Sequence, residues 1–266
     1  MTSTSTKPLA VVTGASSGIG FELARQFADN GFDVLMAAED DAIHGAANEL
    51  GGEAIQVDLA RDSGVDELYE RIKADGRPVA AIALNAGIGA GGSFAGPDPD
   101  RTGLDQELNI VDLNVRSTVH LAKQVIDDMV ARNEGRVLFT SSIASTMPGA
   151  FQAVYNASKS FVQSFALALR NELKDTNVTI TSLMPGPTET EFFERADMLD
   201  TKVGAADKDD PADVARDGFE ALMAGKERVV SHSLQTRLQG RGARILPDSA
   251  KAAMHRRMAE PGSGNS

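Results

Sequence analysis

The chain runs Leu9-Ala-Val-Val-Thr13-Gly14-Ala-Ser-Ser-Gly18-Ile-Gly20 near its N-terminus, and this stretch decides the fold. Its first part, Leu9–Thr13, is short, apolar and β-branched, so it predicts a buried strand. The glycines follow at once, and behind them apolar residues recur at helical spacing until Asn30-Gly31, a typical helix stop. The stretch therefore predicts a strand, a glycine-rich turn and a helix.

The glycine-rich turn is suited to binding a dinucleotide. Glycines let the backbone turn sharply and approach a pyrophosphate, while the helix N-terminus offers free N–H groups to the phosphates. The spacing is G-x-x-x-G-x-G, which differs from the general G-x-G-x-x-G pattern. The same glycines could serve only a tight turn, but their place between the first strand and a helix favours cofactor binding.

Short apolar runs alternate with helical patterns along the rest of the chain, which indicates a parallel sheet. We predict strands at Leu9–Thr13, Asp33–Ala38, Ala54–Val57, Val79–Asn85, Arg136–Thr140 and Val178–Met184. The expected fold is α/β, with a doubly wound parallel β-sheet flanked by helices on both faces in a single domain, residues 1–266. Residues 1–7 and 260–266 are expected to be disordered.

Composition excludes several classes of protein. The 266 residues include no cysteine, so disulfides and thiolate metal sites are ruled out, and the four histidines are too scattered to predict a metal site. A net charge of −12 argues against a general nucleic-acid-binding surface. The polar N-terminus and the lack of a long apolar run argue against a signal peptide or membrane span, so we expect a cytoplasmic location.

The segment Tyr155-Asn-Ala-Ser-Lys159 places a phenol and an ammonium four residues apart. On a helix the two side chains share a face, one turn apart. A tyrosine with a pKa of about 10 is a poor acid–base catalyst at neutral pH, and a neighbouring cation lowers that pKa. The pair predicts an activated tyrosine, although surface helices also carry this motif. The other tyrosine, Tyr69, lies on an apolar helix face and is expected to pack in the core.

Six motifs, in order, resemble the short-chain dehydrogenase/reductase (SDR) family between about Lys7 and Lys226. They are Thr13–Gly20, Asn85-Ala86-Gly87, Asn114 in Leu-Asn-Val, Ser142 thirteen residues before Tyr155, the pair Tyr155 and Lys159, and Pro185-Gly186 followed by Thr190. The resemblance implies a Rossmann-type fold. It also implies an NAD(P)-dependent oxidoreductase that transfers a hydride between the cofactor and a ketone or secondary alcohol.

The resemblance implies a catalytic role for four residues. Tyr155 is the general acid–base, Lys159 is its partner and binds the nicotinamide ribose, and Ser142 polarises the substrate carbonyl. Asn114 is expected in a kinked helix, where it relays protons to Lys159 through water. The residues alone leave alternatives open. Other serines nearby are equally polar, and a buried asparagine can simply bond to backbone.

The choice of cofactor depends on Glu39, nineteen residues past Gly20. A carboxylate there can accept from the ribose 2′-OH and repel a 2′-phosphate, so we expect NAD in preference to NADP. NAD-preferring relatives usually carry aspartate one position earlier, where this chain has Ala38. Asp58 is expected near the adenine, or as a helix cap. The expected cofactor-binding residues are Gly14, Ser16, Ser17, Gly18, Ile19, Gly20, Glu39, Asp58, Leu59, Asn85, Ala86, Gly87, Tyr155, Lys159, Pro185, Gly186, Thr188 and Thr190.

The substrate is expected to have a hydrophobic body, because apolar residues cluster after the last cofactor motif. The segment Glu191–Gly204 occupies the position of the family's substrate lid. The expected substrate-binding residues are Ser142, Met147, Phe151, Phe192 and Phe193. The same aromatic residues could instead only pack the lid onto the body of the domain.

The chain is expected to form a homodimer or homotetramer. Apolar residues beyond the first apolar stripe of two predicted helices, Leu113, Leu121, Val125, Leu167 and Ala168, indicate an interface. The C-terminal extension, residues 226–259, is atypical for the family. From Lys226 onward the chain holds eight Lys/Arg against three Asp/Glu, and we expect this basic tail to pack on the acidic body or on a second subunit.

A second class of function uses the same fold. A non-catalytic dinucleotide-binding redox sensor or regulator would need the glycine-rich turn, but it would need none of Ser142, Tyr155 and Lys159. Because the chain has all three, the sequence favours an enzyme.

Overall fold

The structure is a computed structural model, and it describes residues 7–97, 101–230 and 247–265. The strands are β1 (Leu9–Thr13), β2 (Asp33–Ala38), β3 (Glu53–Gln56), β4 (Val79–Leu84), β5 (Gly135–Thr140), β6 (Val178–Met184) and β7 (Arg228–Val230). The helices are α1 (Gly18–Asp29), α2 (Ala42–Leu50), α3 (Asp62–Asp75), α4 (Leu104–Val111), α5 (Ser117–Arg132), α6 (Ala153–Glu172), α7 (Phe192–Arg195), α8 (Lys202–Ala205), α9 (Pro211–Met223) and a C-terminal helix, Asp248–Ala259.

In the described part of the chain, seven strands form one parallel sheet in the order β3-β2-β1-β4-β5-β6-β7. All five residues of β1 are buried, because helices cover both faces of the sheet. This is the doubly wound, Rossmann-type α/β fold that the sequence predicts. Its strand order reverses between β1 and β4, and ligands of such sheets bind beside this point, at the carboxyl ends of the strands.

The helices form one layer on each face of the sheet. On one face α3, α5 and α6 pack around Leu68, Leu121 and Phe139, and on the other α1, α2 and α9 pack around Phe27. Tyr69 packs at the edge of the first core, and its hydroxyl donates to Asp128 Oδ2 at 2.9 Å.

Two of the apolar residues that were expected at an interface between chains are instead buried within the single chain. Leu121 and Val125 were expected to lie at an interface, but they are 2% and 1% exposed and belong to the core of the single chain. The prediction is wrong for these two residues because α5 packs on α3 as well as on the sheet, so it is covered on two sides.

The six predicted strands are all present, with ends that differ by at most one residue. The elements with no counterpart among the predicted ones are α2, α7, α8, α9, the C-terminal helix and β7. The last of these has only three residues, Arg228–Val230, and pairs in parallel with β6. A strand this short shows too little alternation or apolar length to stand out from a loop.

The helix that carries Asn114 is irregular, as the family resemblance implies. A π-helical turn, Asp112–Arg116, joins α4 to α5 and contains Asn114. Such a turn adds one residue to the helical repeat and often lies at functional sites. Here it turns the asparagine side chain towards the loop after β4, where its hydrogen bonds are made.

The end of the chain is held against the lid. Gly262 N donates to Asp200 Oδ2 at 2.6 Å, and Gly264 N donates to Asp200 O at 2.7 Å. The expected disorder of residues 260–266 is therefore wrong for residues 260–265, because these backbone groups are paired with the lid. Residues 1–6 and 266, also expected to be disordered, lie outside the described residues. None of the described helices is long and apolar enough to cross a membrane.

Thr13 joins two strand ends, since its Oγ1 accepts from the backbone N–H groups of Asn85 and Ala86, both at 3.0 Å. We predict that Thr13→Val lowers the free energy of unfolding by about 1–3 kcal/mol for each donor left unpaired. The matched control is Thr179→Val in β6, because Thr179 Oγ1 is buried without a partner among the described residues. Urea unfolding of both variants measures the difference, and equal losses would contradict the account.

Candidate active site

A cleft of about 860 Å³ opens at the carboxyl edge of the sheet. Its walls are the glycine-rich turn, the loops after β2, β3, β4, β5 and β6, the start of α6, the lid and the C-terminal helix. Most of the expected site residues line this cleft: Gly14, Ser16, Ser17, Gly18, Ile19, Gly20, Glu39, Leu59, Asn85, Ala86, Gly87, Ser142, Met147, Tyr155, Lys159, Pro185, Gly186, Thr188, Thr190, Phe192 and Phe193. Asp58, Asn114 and Phe151 lie outside this lining.

The glycine-rich turn forms a cradle that side chains would fill. A Cβ on Gly20 would lie 1.9 Å from Gly14 O, and Gly18, with a φ of +55°, would bring its Cβ to 2.9 Å from Thr190 Cγ2. Ser17 precedes α1 without capping it through its side chain, and the first turn of α1 holds no acidic residue. The N-terminus of α1 is thus suited to a phosphate, and these residues fit the pyrophosphate of a dinucleotide.

Asn85 connects the glycine-rich turn after β1 to strand β5, which precedes Ser142. Its Nδ2 donates to Thr13 O at 3.1 Å, and its Oδ1 accepts from Thr140 Oγ1 at 3.0 Å. The ends of β1, β4 and β5 are therefore held together by one side chain. The cradle at the end of β1 and Ser142, just past β5, keep a fixed separation because of it.

Helix α6 carries the phenol and the ammonium on one face. Lys159 is 5% exposed, and its Nζ donates to Thr140 O at 3.1 Å. The Tyr155 ring packs against Phe192 of the lid with 5.1 Å between ring centroids. Ser142 follows β5, and its Oγ accepts from Ala144 N at 3.1 Å. A phenol, an ammonium and a hydroxyl thus meet in the cleft.

The expected effect of Lys159 on Tyr155 is not what the structure shows. Burial raises the pKa of Tyr155 to about 12, and a hydrogen bond with Ser142 opposes the rise. Burial also lowers the pKa of Lys159 to about 8. In this structure desolvation disfavours both ions and the ammonium is directed at Thr140 O, so the pKa of Tyr155 is raised, and the lowering by Lys159 stays a prediction.

The structure distinguishes the roles of three neighbouring serines, which the sequence alone could not do. Ser141 Oγ donates to Lys159 O at 3.0 Å, so it braces helix α6. Ser145 Oγ donates to Ser142 O at 2.6 Å, which leaves it in the turn. Ser142 Oγ donates to Pro185 O at 3.4 Å, and of the three hydroxyls it is the one close enough to Tyr155 to oppose the rise in the tyrosine's pKa. Ser142 is therefore the serine placed to contact a substrate.

Asn114 lies behind Lys159, buried at 1% exposure. Its Nδ2 donates to Ile88 O and to Ser158 Oγ, both at 2.9 Å, and its Oδ1 accepts from Ile88 N at 2.9 Å. A Cβ on Gly87 would lie 2.9 Å from Lys159 Nζ and 3.1 Å from Asn114 Oδ1. Asn114 thus fixes the backbone beside Lys159, which is the simpler of the two roles that sequence left open.

Two acidic residues, Glu39 and Asp40, line the part of the cleft that follows β2. Glu39 follows β2 and is exposed, and Asp40 accepts a hydrogen bond from Ser16 Oγ at 2.8 Å. Leu59 lines the cleft, whereas Asp58 accepts from Ala60 N at 2.9 Å in a local turn. The alternative of Asp58 as a helix cap is wrong, since Arg61 precedes α3.

The lid forms the substrate end of the cleft. Phe192, Phe193 and Met147 line it as expected, but Phe151 packs instead with the cluster of the lid and C-terminal helix, where Arg256 covers its ring at 5.1 Å. The sequence analysis missed the wall from the C-terminal helix, formed by Met254, His255, Met258 and Ala259. Only the apolar spacing of the two methionines could have signalled it.

The fold and the cradle define a dinucleotide-binding α/β protein. The family model described as short chain dehydrogenase matches residues 8–198, so the chain belongs to the short-chain dehydrogenase/reductase family, as its motifs suggested. The chain is 34% identical to the uncharacterised short-chain type dehydrogenase/reductase y4eK of Sinorhizobium fredii, over 71% of this chain and 73% of that protein.

Two further proteins are informative. The chain is 29% identical to the NADP-dependent 3-hydroxy acid dehydrogenase YdfG of Salmonella typhi, over 67% of this chain and 71% of that protein. A short-chain dehydrogenase from Sphingobium yanoikuyae in complex with NADPH has a TM-score of 0.77 and 25% identity, covering 89% of this chain and 93% of that one. As a family member, the protein is an oxidoreductase that uses a nicotinamide cofactor. Among the described residues, no three His, Asp or Glu side chains group as metal ligands.

Proposed function

We propose that the protein interconverts a secondary alcohol and a ketone with a hydrophobic body, with Tyr155 as general acid–base. The observation that supports this most strongly is the convergence of Ser142, Tyr155 and Lys159 in the cleft that holds the dinucleotide cradle. The apolar side chains of Met147, Phe192 and Phe193 in the lining of the same cleft favour a hydrophobic substrate body.

Each residue has a defined part in the reaction. When bound, the nicotinamide cofactor supplies or accepts the hydride. Ser142 donates a hydrogen bond to the substrate oxygen and stabilises its developing charge. Tyr155 gives its proton to the carbonyl oxygen during reduction and takes the proton from the hydroxyl during oxidation. Lys159 stabilises the phenolate that forms, and Asn114 holds the neighbouring backbone. A proton path from Lys159 through Asn114 stays a prediction.

Tyr155→Phe removes the transferable proton and little else. We expect the variant to lose about 10²–10⁴-fold in turnover of a hydrophobic ketone, while its affinity for the dinucleotide stays nearly unchanged. The matched control is Tyr69→Phe, which deletes the other phenol hydroxyl, bound to Asp128 on the far side of α5. Cofactor absorbance measures turnover and calorimetry measures binding. Wild-type turnover in Tyr155→Phe would remove this residue from the mechanism.

We further propose that the enzyme prefers NAD. Glu39 and Asp40 both line the adenosine end of the cleft, and Ser16 holds the Asp40 carboxylate beside the glycine-rich turn at 2.8 Å. A 2′-phosphate would meet two negative charges there. Apart from Lys159, the Lys and Arg side chains that line the cleft belong to the lid and the segment after it, at the substrate end, and are Arg195, Lys202 and Lys208. One relative is named as NADP-dependent and one similar structure contains NADPH, so the preference for NAD needs a direct test.

Glu39→Arg replaces a repulsive charge by one that pairs with a phosphate. We expect the ratio of kcat/KM with NADP to kcat/KM with NAD to rise by about tenfold or more. Glu67→Arg on the exposed face of α3 makes the same charge change away from the cleft and should leave the ratio unaltered. A wild-type enzyme that already favours NADP would overturn the assignment of Glu39.

We also propose that the chain forms a homodimer, or a homotetramer built on it, through α4 and α6. These two helices pack on each other, and they expose Leu104, Leu108, Val111 and Phe161. Of the residues expected there, Ala168 is exposed and Leu113 and Leu167 are half-buried, so the exposed patch only partly matches the expected one. Apolar side chains grouped on one face usually mark an interface, and a two-fold axis would bury each patch against its copy.

Light scattering at micromolar concentration should give a mass of at least twice the 28.0 kDa chain. Leu108→Glu should reduce the mass to that of one chain, because the carboxylate would be buried against its copy. Leu199→Glu is the matched control, since Leu199 is an exposed leucine of the lid. A wild-type mass of 28.0 kDa would refute the proposal.

A further inference from the structure

The C-terminal helix brings one polar side chain into the substrate end of the cleft. His255 lies between Met254 and Met258 of this lining and is 6% exposed. The C-terminal helix is joined to the lid, because the residues after it bind Asp200 through Gly262 N and Gly264 N. His255 is therefore part of the cleft wall.

One ring nitrogen of His255 has a structural partner. Nδ1 lies 2.9 Å from Ala150 O, and a carbonyl oxygen can only accept, so Nδ1 carries the hydrogen. Among the described residues, Nε2 has no hydrogen-bond partner. In the neutral ring Nε2 is an acceptor, and burial favours that form because it lowers the pKa of His255. The ring thus offers one unused lone pair in a mostly apolar wall.

Three of the cationic side chains near His255 are engaged in ion pairs. On its own helix, Arg256 pairs with Glu260 at 3.1 Å, and Lys251 pairs with Asp248 at 3.0 Å. On the lid, Arg195 pairs with Glu191 at 2.6 Å. Because these cations already have acidic partners, the imidazole is a neutral polar group in the wall that the C-terminal helix contributes.

An aromatic wall connects this end to the reacting groups. The Tyr155 and Phe192 rings are 5.1 Å apart, and the Phe192 and Phe193 rings are 5.5 Å apart. Phe193 in turn packs with Ala259 of the C-terminal helix. A substrate whose carbonyl lies at Ser142 and Tyr155 can extend its apolar body along these rings towards His255.

We propose that His255 is a specificity-determining residue that binds the substrate, its Nε2 accepting a hydrogen bond from a hydroxyl or N–H group remote from the reacting carbon. The inference rests on the proposed function and narrows its substrate class. The favoured substrates are ketones or secondary alcohols with an apolar middle and a hydrogen-bond donor at the far end. An analogue without that donor leaves Nε2 unpaired in the complex, so its kcat/KM is lower.

The test uses matched probes and a matched pair of variants. The probes are methyl ketones from 5-hydroxy-2-pentanone to 9-hydroxy-2-nonanone, each compared with its ω-methoxy analogue, which keeps the oxygen but cannot donate, and with the keto acid of equal length. His255→Asn keeps an N–H where Nδ1 donates to Ala150 O but removes the acceptor. His255→Gln instead places an amide near the position of Nε2. Met258→Leu changes the lining without changing its polarity.

At one chain length, we expect the wild-type enzyme to favour the hydroxy ketone over the methoxy ketone by about tenfold in kcat/KM. His255→Asn should abolish this preference, His255→Gln should restore part of it, and Met258→Leu should keep it. Dinucleotide binding by calorimetry shows whether each variant is folded.

Four outcomes would overturn the inference. Turnover without any hydroxy preference in the wild-type enzyme, or a preference that survives in His255→Asn, rejects the role of His255 alone and leaves the proposed function standing. A preference for the keto acid that depends on His255 would mean a cationic ring and an anionic substrate. No turnover of any probe would contradict the proposed function itself and take the inference with it.

Discussion

The hydrogen bonds of Asn85 are the constraint on which the rest of the site depends. One side chain joins β1 to β5, through Thr13 O and Thr140 Oγ1, and Thr140 O in turn accepts from Lys159 Nζ. The dinucleotide cradle, the strand that precedes Ser142 and the helix that carries Tyr155 are thus linked by one network. Because the strands are parallel, their carboxyl ends meet at the same edge, and only polar side chains placed there can make such links.

Burial decides the protonation of the two groups that lie at the centre of this network. It raises the pKa of Tyr155 to about 12 and lowers that of Lys159 to about 8, so at neutral pH the phenol keeps its proton. A protonated phenol is the form that donates to a carbonyl oxygen. The reverse reaction needs the phenolate, which Ser142 favours against the cost of desolvation.

The fold and the cofactor end of the site were predictable because they depend on local pattern. The β1–glycine–α1 stretch and the spacing of Ser142, Tyr155 and Lys159 are periodic or contiguous features. Phe151 and the wall around His255 were not predictable, since they depend on how the C-terminal helix docks on a lid more than fifty residues earlier. The burial of Leu121 was missed for a similar reason, because a second helix, α3, covers α5.

The central claim is that this chain transfers a hydride between a nicotinamide and a carbonyl carbon. The most direct measurement is to incubate the protein with NADH deuterated at both C4 positions and a hydrophobic ketone, and to analyse the alcohol by mass spectrometry. The account predicts one deuterium on the carbinol carbon. Alcohol without deuterium at that carbon, or no alcohol from any ketone tested although the protein binds the cofactor, would contradict it.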